Sequence, residues 1–152
     1  MGFVKTPITI CLRDGLKISS LRSLRTTFGE IFEPAIADLY GIRREQADLV
    51  VDVGANIGTT TCPLGRRGRR VIAVEPVPST YAALERNVML QGLEERVTTL
   101  NCAVAAEAGT LDMVTTTGSG SNEVVLDGMA PAFGQWGMKP TGNVTVPARP
   151  LD

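Results

Sequence analysis

The residues best suited to chemistry lie in one short glycine turn. Residues 51–58 read Val-Asp-Val-Gly-Ala-Asn-Ile-Gly, so an apolar run leads into a turn with two glycines, and a helix is expected to follow. Gly54 allows a sharp bend and, having no Cβ, a close approach by a ligand. The free N–H groups at a helix start favour an anionic group such as a carboxylate. The turn therefore predicts a site for a ligand with an anionic end, and a plain strand-to-helix turn is the alternative.

Three features of the surrounding sequence narrow the class of ligand. No lysine follows the glycines, because Thr59 and two further threonines come next, and this argues against a phosphate-binding P-loop. Asn56 stands where a dinucleotide fingerprint has the glycine that makes room for a pyrophosphate. Glu75 comes about 20 residues after Gly54, the spacing at which an acid accepts hydrogen bonds from ribose hydroxyls; a helix-capping acid is the alternative. Together these features predict a nucleoside ligand with a carboxylate tail and no pyrophosphate, a description that S-adenosylmethionine fits.

A scaffold of alternating strands and helices is predicted around these residues. Three runs are typical of parallel strands: residues 48–53, 70–75 and 97–102. A short helix is expected from about Ile57, limited by Pro63 and ended with the help of Gly65, and a second helix is expected over residues 78–91. Right-handed crossovers arrange this order as a three-layer α/β unit.

The flanking segments predict further elements. Residues 8–18 alternate around an Asp-Gly turn and predict a β-hairpin, whereas residues 30–40 have mostly helical spacing. Residues 109–114 and 143–148 alternate like strands and are separated by a loop rich in glycine and proline. The length of 152 residues suits one domain.

The composition excludes several classes of function. A net charge of −1 gives no reason to expect nucleic acid as a partner, and the basic run over residues 65–70 is interpreted as a solvated loop rather than an RNA-binding element. No apolar stretch approaches the roughly 20 residues that span a bilayer. The absence of histidine removes histidine-dependent nucleophiles and most zinc sites, and no metal is expected. Cys11, Cys62 and Cys102 form no CxxC pair and predict buried thiols in a reducing cytoplasm.

Longer strings of the sequence resemble one known family. Those strings are VDVGANIGTTT, RVIAVEPVPSTYAALERN and NCAVAAEAGTLDM, and they resemble the FkbM family of S-adenosylmethionine-dependent methyltransferases. The shared pattern is an Asp-x-Gly-Ala-Asn-x-Gly turn, a Glu-Pro-x-Pro strand end and an asparagine one helix later, which is Asn87 here. Residues 13–15, 28–40 and 146–152 resemble the family more loosely. The resemblance implies a Rossmann-like class I methyltransferase fold of the α/β type, with S-adenosyl-L-methionine as cofactor and a small-molecule substrate.

The resemblance implies a role for each residue of the glycine turn. Asp52 and Gly54 would lie under the methionine part of the cofactor, with Asp52 able to attract its ammonium group. Ala55, Asn56 and Gly58 would shape the turn around it. Glu30 and Tyr40 could reach the methionine end, although a surface acid and a core aromatic are equally good interpretations.

The resemblance also implies contacts at the ends of the next two strands. Glu75 would accept hydrogen bonds from the two ribose hydroxyls, and Pro76 and Val77 would press on one face of the adenine. The residues expected along the adenine edge share the tip of the third strand and are Asn101, Cys102 and Ala103. No general base is identified.

The last residues resemble the stretch just before the fourth strand of the family. The expected organisation is therefore residues 1–47 as an N-terminal hairpin and helix cap, and residues 48–152 as the N-terminal half of the cofactor-binding domain, incomplete at the C-terminus. The expected reaction is O-methylation of a hydroxyl-bearing small molecule or sugar. The alternatives are an inactive fragment that serves as a cofactor-binding or assembly module, and a nicotinamide-dependent oxidoreductase, against which Asn56 argues. The first strand, at an uncovered sheet edge, is expected to self-associate or to be covered by residues 143–148.

Overall fold

The computed structural model describes residues 8–11, 17–20, 48–117, 122–124 and 139–151. The helix predicted over residues 30–40, with Glu30 and Tyr40, lies outside these ranges, as does the Asp-Gly turn of the predicted hairpin. The described strands form a two-stranded, a three-stranded and a four-stranded sheet. In the described part of the chain, no helix is long and apolar enough to cross a membrane.

The N-terminal hairpin is anchored to the main core by its second strand. β1 (Ile8–Cys11) and β2 (Lys17–Ser20) pair antiparallel, as the alternation of the sequence predicts. Ile18 of β2 is 1% exposed and belongs to the main hydrophobic core. The hairpin is thus held by apolar burial and forms part of the folded domain.

Three parallel strands and two helices alternate through the centre of the chain. In chain order they are β3 (Leu49–Val53), α1 (Thr61–Arg66), β4 (Arg70–Val74), α2 (Pro78–Leu90) and β5 (Val97–Leu100). The strands pair in the order β3-β4-β5. Each parallel pair is joined by a helical crossover, so the predicted Rossmann-like α/β fold is confirmed.

Both helices cover the same face of this sheet. Asp52, Ala73 and Thr99 lie side by side across β3, β4 and β5. Thr61 of α1 bonds to Asp52, and Tyr81 of α2 bonds to Thr99. Two right-handed crossovers that move in one direction along a sheet give this arrangement. The described residues therefore supply the sheet and one helix layer of the three layers predicted.

Helix α1 begins later than the sequence predicts. The expected start was near Ile57, but Asn56 has φ 52° and Gly58 has φ 90°, and a right-handed helix requires negative φ. The helix starts at Thr61, once these two residues are passed. Pro63 falls in its first turn, where a missing N–H removes no intrahelical hydrogen bond.

Gly65 was expected to help end α1 but lies inside it. A Cβ at this position would lie 3.0 Å from Cγ2 of Val97 and 3.2 Å from Cδ1 of Leu93. Gly65 therefore lets the helix pack closely on its neighbours. The left-handed residue that follows the helix is Gly68, with φ 86°, which is the usual place for a C-terminal glycine.

The C-terminal strands form a sheet of their own. They are β6 (Ala103–Val104), β7 (Gly109–Thr116), β8 (Glu123–Val124) and β9 (Pro140–Arg149), in the order β6-β9-β7-β8. The strands predicted over 109–114 and 143–148 are confirmed, and both are longer than predicted. The strand predicted over 97–102 ends at Leu100, because the chain leaves the parallel sheet at Asn101 and enters the second sheet at Ala103.

The second face of the parallel sheet is partly open within the described chain. Leu49, Val51 and Val53 of β3 are 44%, 44% and 55% exposed, and Leu100 of β5 is 40% exposed. The expectation that residues 143–148 could cover the β3 edge is wrong, because those residues pair with β7 and β6. Extensive antiparallel pairing with β7 satisfies their backbone groups.

Candidate cofactor-binding site

The glycine turn after β3 owes its shape to three residues with positive φ. These are Gly54 at 80°, Asn56 at 52° and Gly58 at 90°. Asparagine is one of the few residues other than glycine that tolerates this region. Backbone N–H groups of Gly54 and Ala55 both donate to the Val74 carbonyl, at 2.9 and 3.0 Å. The turn is therefore fixed against the end of β4.

The two glycines of the turn have different surroundings. A Cβ built on Gly54 would have no heavy atom within 4 Å, so the space beside it is open to a ligand. A Cβ built on Gly58 would lie 2.9 Å from Cδ1 of Leu84 and 3.2 Å from Sγ of Cys62. Gly58 is therefore closely packed, and its nearest contact is with Leu84 of helix α2.

Glu75 joins the turn to the beginning of α2. The residue is 5% exposed, and its carboxylate accepts hydrogen bonds from Asn56 N at Oε2 and from Val77 N at Oε1, each at 3.0 Å. Burial raises the pKa of Glu75, and the bonds from Val77 and Asn56 oppose that rise, while the nearby Asp52 adds to it. The carboxylate predicted for ribose binding thus lies beside the turn predicted for the methionine end.

Asp52 lies at the end of β3, under the turn, and contacts helix α1. Its Oδ2 accepts a hydrogen bond of 2.5 Å from Oγ1 of Thr61. Burial raises the pKa of Asp52, and the Thr61 bond opposes that rise. Thr61 was not singled out from the sequence, although the threonine run after Gly58 was a signal for it.

Cys62 is the next buried side chain of α1 and offers no reactive thiolate. Burial, together with the charge of Asp52, raises the pKa of the Cys62 thiol to about 12, so it stays protonated at neutral pH. Among the described cysteines, Cys62 and Cys102 are free and buried. No group of three or more potential metal-ligating side chains exists in the ranges that the structure describes.

Asn101, at the tip of β5, supports the loop that holds Glu75. Its Nδ2 donates to the carbonyl of Glu75 at 2.9 Å and to the carbonyl of Pro76 at 3.0 Å. Asn101 and Cys102 also line a cavity of about 160 Å³, together with Arg149 and Leu151. This cavity lies where the adenine edge was predicted.

Two residues predicted to contact adenine have side chains packed elsewhere. Val77 and Ala103 are 2% and 7% exposed and belong to an apolar cluster with Met113, Val146 and Ala148 of the second sheet. Neither side chain lines the cavity beside Asn101. Their contact with adenine therefore stays a prediction. In the structure, these two side chains pack the second sheet against the loop after β4.

Known proteins resemble this chain over the region that contains the site. The methyltransferase FkbM domain matches residues 52–152. The chain is 34% identical over 105 residues to the 31-O-demethyl-FK506 methyltransferase FkbM of Streptomyces tacrolimicus, covering 66% of this chain and 40% of that protein. It is 36% identical over 66 residues to the methyltransferase sdnD of Sordaria araneosa, covering 42% of this chain and 26% of that protein.

One solved structure with a similar sequence is that of P. horikoshii TYW2 in complex with MeSAdo. The identity is 27% and the TM-score 0.49, over 65% of this chain and 37% of that one. The chain spans about two fifths or less of the length of the curated relatives it matches. The domain match extends over the glycine turn, Glu75, strands β4 and β5 and the strands of the second sheet, and on that evidence the chain belongs to the FkbM methyltransferase family.

Proposed function

We propose that this chain binds S-adenosylmethionine through the glycine turn and Glu75. The observation that carries the proposal is the arrangement of the Glu75 carboxylate, in which each oxygen accepts one backbone N–H. A carboxylate has about four lone-pair sites, so each oxygen keeps the capacity for another hydrogen bond. Two remaining acceptor sites match the two hydroxyls of a ribose.

The other parts of the cofactor are assigned to the groups around Glu75. We propose that the methionine end lies in the open space beside Gly54, with its ammonium group attracted by Asp52, and that Ala55, Asn56 and Gly58 shape the turn. The open space at Gly54 supports this, since any side chain there would occupy the room that a ligand needs.

The adenine is assigned to the cavity beside Asn101 and Cys102. Support comes from the lining of that cavity and from the two hydrogen bonds by which Asn101 fixes the carbonyls of Glu75 and Pro76. Pro76, which is half-buried, would then lie against one face of the ring. Val77 and Ala103 would act from behind, by holding that loop against the second sheet.

We propose that the protein methylates a hydroxyl oxygen of a small molecule or sugar. The bound cofactor supplies an electrophilic methyl group, and the protein contributes chiefly by holding the donor and acceptor in line. Support comes from the names of two relatives, the 31-O-demethyl-FK506 methyltransferase FkbM and a Ubiquinone biosynthesis O-methyltransferase of Methylocella silvestris, which is 31% identical over 101 residues. The free thiols of Cys62 and Cys102 support a location in a reducing compartment such as the cytoplasm.

Calorimetric titration with S-adenosylhomocysteine and with NAD tests the cofactor assignment. We expect S-adenosylhomocysteine to bind more tightly, because Asn56 occupies the position that a pyrophosphate-binding turn keeps as glycine. If NAD binds more tightly, or if neither ligand binds, the cofactor assignment is wrong. Adenosine alone serves as a control, since it retains the ribose contact but not the methionine end.

A further inference from the structure

Asn87 makes an unusual set of contacts inside the protein. It lies on α2, and its side chain is fully buried, with 0% exposed. Its Oδ1 accepts a hydrogen bond of 2.6 Å from Ser19 N, and its Nδ2 donates to Ser19 O at 3.0 Å and to Ile57 O at 2.7 Å. Both N–H donors and the acceptor of the amide are therefore used.

The three bonds of Asn87 join three separate parts of the chain. Ser19 belongs to β2 of the N-terminal hairpin, and Ile57 belongs to the glycine turn. The amide pairs with both backbone groups of Ser19, as a neighbouring strand would, and its second N–H donates to the glycine turn. Removing one partner of such a buried bond leaves the other unsatisfied, so these bonds are expensive to lose.

The bond to Ile57 acts on the part of the turn that most needs support. The residue before it, Asn56, has φ 52°, and its N–H is held by the carboxylate of Glu75. Asn87 holds the carbonyl of Ile57 from the other side. The backbone is thus fixed just before and just after the residue with the left-handed conformation.

A second contact ties the hairpin to the end of α2. Gln91 is the C-cap residue that follows this helix, four positions after Asn87. Its Nε2 donates to the carbonyl of Lys17 in β2. Ile18, between the two bonded hairpin residues, is buried in the main core with Leu84 and Val88 of α2.

We propose that Asn87 is a positioning residue for the cofactor turn, and that through it the hairpin β1–β2 is coupled to cofactor binding. Its effect on affinity rests on the proposed function, whereas its effect on the turn and hairpin does not. Loosening the hairpin would loosen the turn that faces the cofactor, and loss of Asn87 would loosen both together.

The test compares Asn87→Asp with Val88→Ala in the full chain. The carboxylate of Asn87→Asp is of the same size but donates no hydrogen bond to Ile57 or Ser19. Val88→Ala removes packing from the next residue of the same helix, in the same core, but leaves the three hydrogen bonds of Asn87 in place. We expect Asn87→Asp to weaken S-adenosylhomocysteine binding by roughly tenfold or more, the factor typical of a lost buried hydrogen bond, and Val88→Ala to lower the melting temperature with little change in affinity.

Amide hydrogen exchange tests the role of Asn87 in the turn and hairpin separately from the proposed cofactor binding. In Asn87→Asp, residues 17–20 and 54–58 should exchange faster, and in Val88→Ala their rates relative to global unfolding should stay unchanged. If wild type binds no cofactor but this pattern appears, the coupling of the hairpin to the turn stands and the proposed function fails. Equal loss of affinity in both variants, or no change at residues 54–58 in Asn87→Asp, would show that Asn87 is merely a core residue.

A second variant, Gln91→Ala, covers the case in which Asn87→Asp does not fold. It removes the outer link between α2 and the hairpin and leaves the bond to Ile57 in place. Faster exchange at residues 17–20 with weaker S-adenosylhomocysteine binding supports the coupling. Faster exchange there with unchanged affinity overturns it.

Discussion

Burial disfavours the charged form of the Glu75 carboxyl group. The residue is 5% exposed, and burial is the largest cause that raises its pKa. Two backbone N–H groups, from Asn56 and Val77, offset part of that cost. The same bonds also fix the direction of the carboxylate, so that the proposed contact with a ribose would need no side-chain rearrangement.

Replacing Glu75 tests this role directly. Glu75→Ala should raise the dissociation constant for S-adenosylhomocysteine by about tenfold to a hundredfold, because hydrogen bonds to a charged acceptor are worth about 1.5–3 kcal/mol. Folding stability should fall as well, because the N–H groups of Asn56 and Val77 lose their acceptor. Glu94→Ala, at an exposed acid in the loop after α2, is the control and should change neither. Unchanged affinity in Glu75→Ala would show that the carboxylate does not contact the ligand.

The raised pKa values of Glu75 and Asp52 predict opposite effects of pH on stability and on binding. Both pKa values are raised by burial above their ordinary values of 4.5 and 3.8, so the folded state keeps these protons to higher pH than the unfolded state does. Their contribution to stability is therefore complete below the ordinary values and is lost as pH rises through the raised ones. Affinity should change in the other direction, because a protonated Glu75 accepts fewer hydrogen bonds.

The pH prediction is checked by titrating wild type and Glu75→Gln with S-adenosylhomocysteine across the range just above pH 4.5. Wild-type affinity should fall as the pH is lowered, and the variant should bind weakly with a flatter profile. Chemical denaturation over the same range should show a smaller decrease of stability with rising pH in the variant. An identical pH dependence of binding in both proteins would mean that another group controls it.

At the scale of elements, the glycine turn depends on backbone conformations that the sequence reveals only in part. The two glycines pointed to a sharp turn, and both have positive φ. From the sequence, Asn56 was interpreted only as the residue that replaces the glycine of a pyrophosphate-binding turn. Its φ of 52° gives a second reason for an asparagine here, because asparagine tolerates this backbone conformation. The start of α1 was misplaced for the same reason, since helical periodicity does not detect left-handed residues.

A matched pair of glycine substitutions separates the two functions of the turn. Gly54 and Gly92 have φ of 80° and 63°, and a Cβ at either would meet no heavy atom within 4 Å. Alanine should therefore cost each about 1 kcal/mol of folding stability from backbone strain. Only Gly54→Ala should also weaken S-adenosylhomocysteine binding, because its methyl group enters the space assigned to the ligand. Gly54→Val should damage both properties further.

Denaturation and calorimetry on both glycine variants check the prediction. Similar losses of stability with a difference in affinity support a ligand beside Gly54. Equal affinities of the Gly54→Ala and Gly92→Ala variants would show that the ligand does not lie beside Gly54.

Elements whose signals are local were predictable, and those that depend on distant pairing were not. Residues 78–91 carry a proline at the helix start and a glycine after its end, and helix α2 was predicted almost to the residue. By contrast, the pairing of β9 with both β7 and β6 could not follow from alternation, which identifies a strand but not its partner. The bonds from Asn87 to Ser19 and Ile57 were equally hidden, since they join residues 68 and 30 positions apart.

At the scale of the whole molecule, the strand order bears on what the isolated chain can do. The strands β3, β4 and β5 are adjacent in the order in which they occur in the chain. In open α/β sheets, ligands bind at the point where the strand order reverses. The described parallel sheet contains no such reversal, so another strand beside β3 is needed to complete the crevice next to Gly54.

The open edge of β3 leads to a final prediction about the isolated 152-residue chain. Within the described residues, the outer edge of β3 has no partner strand, and the side chains of Leu49, Val51 and Val53 are about half exposed. Exposed apolar edges recruit other strands, and a second copy of the chain offers the same edge. We expect the chain to self-associate with rising concentration, and we expect its monomer to show no methyl transfer.

Light scattering after size-exclusion chromatography, together with a transfer assay that follows S-adenosylhomocysteine release, tests both parts. Val51→Lys should shift the chain towards monomer, because a charge on the exposed face of β3 disfavours edge pairing. Thr110→Lys adds the same charge to an exposed position on β7 and should leave association unchanged. A monomer at all concentrations that transfers methyl groups would refute the prediction, because it would mean that the described strands already enclose a complete crevice.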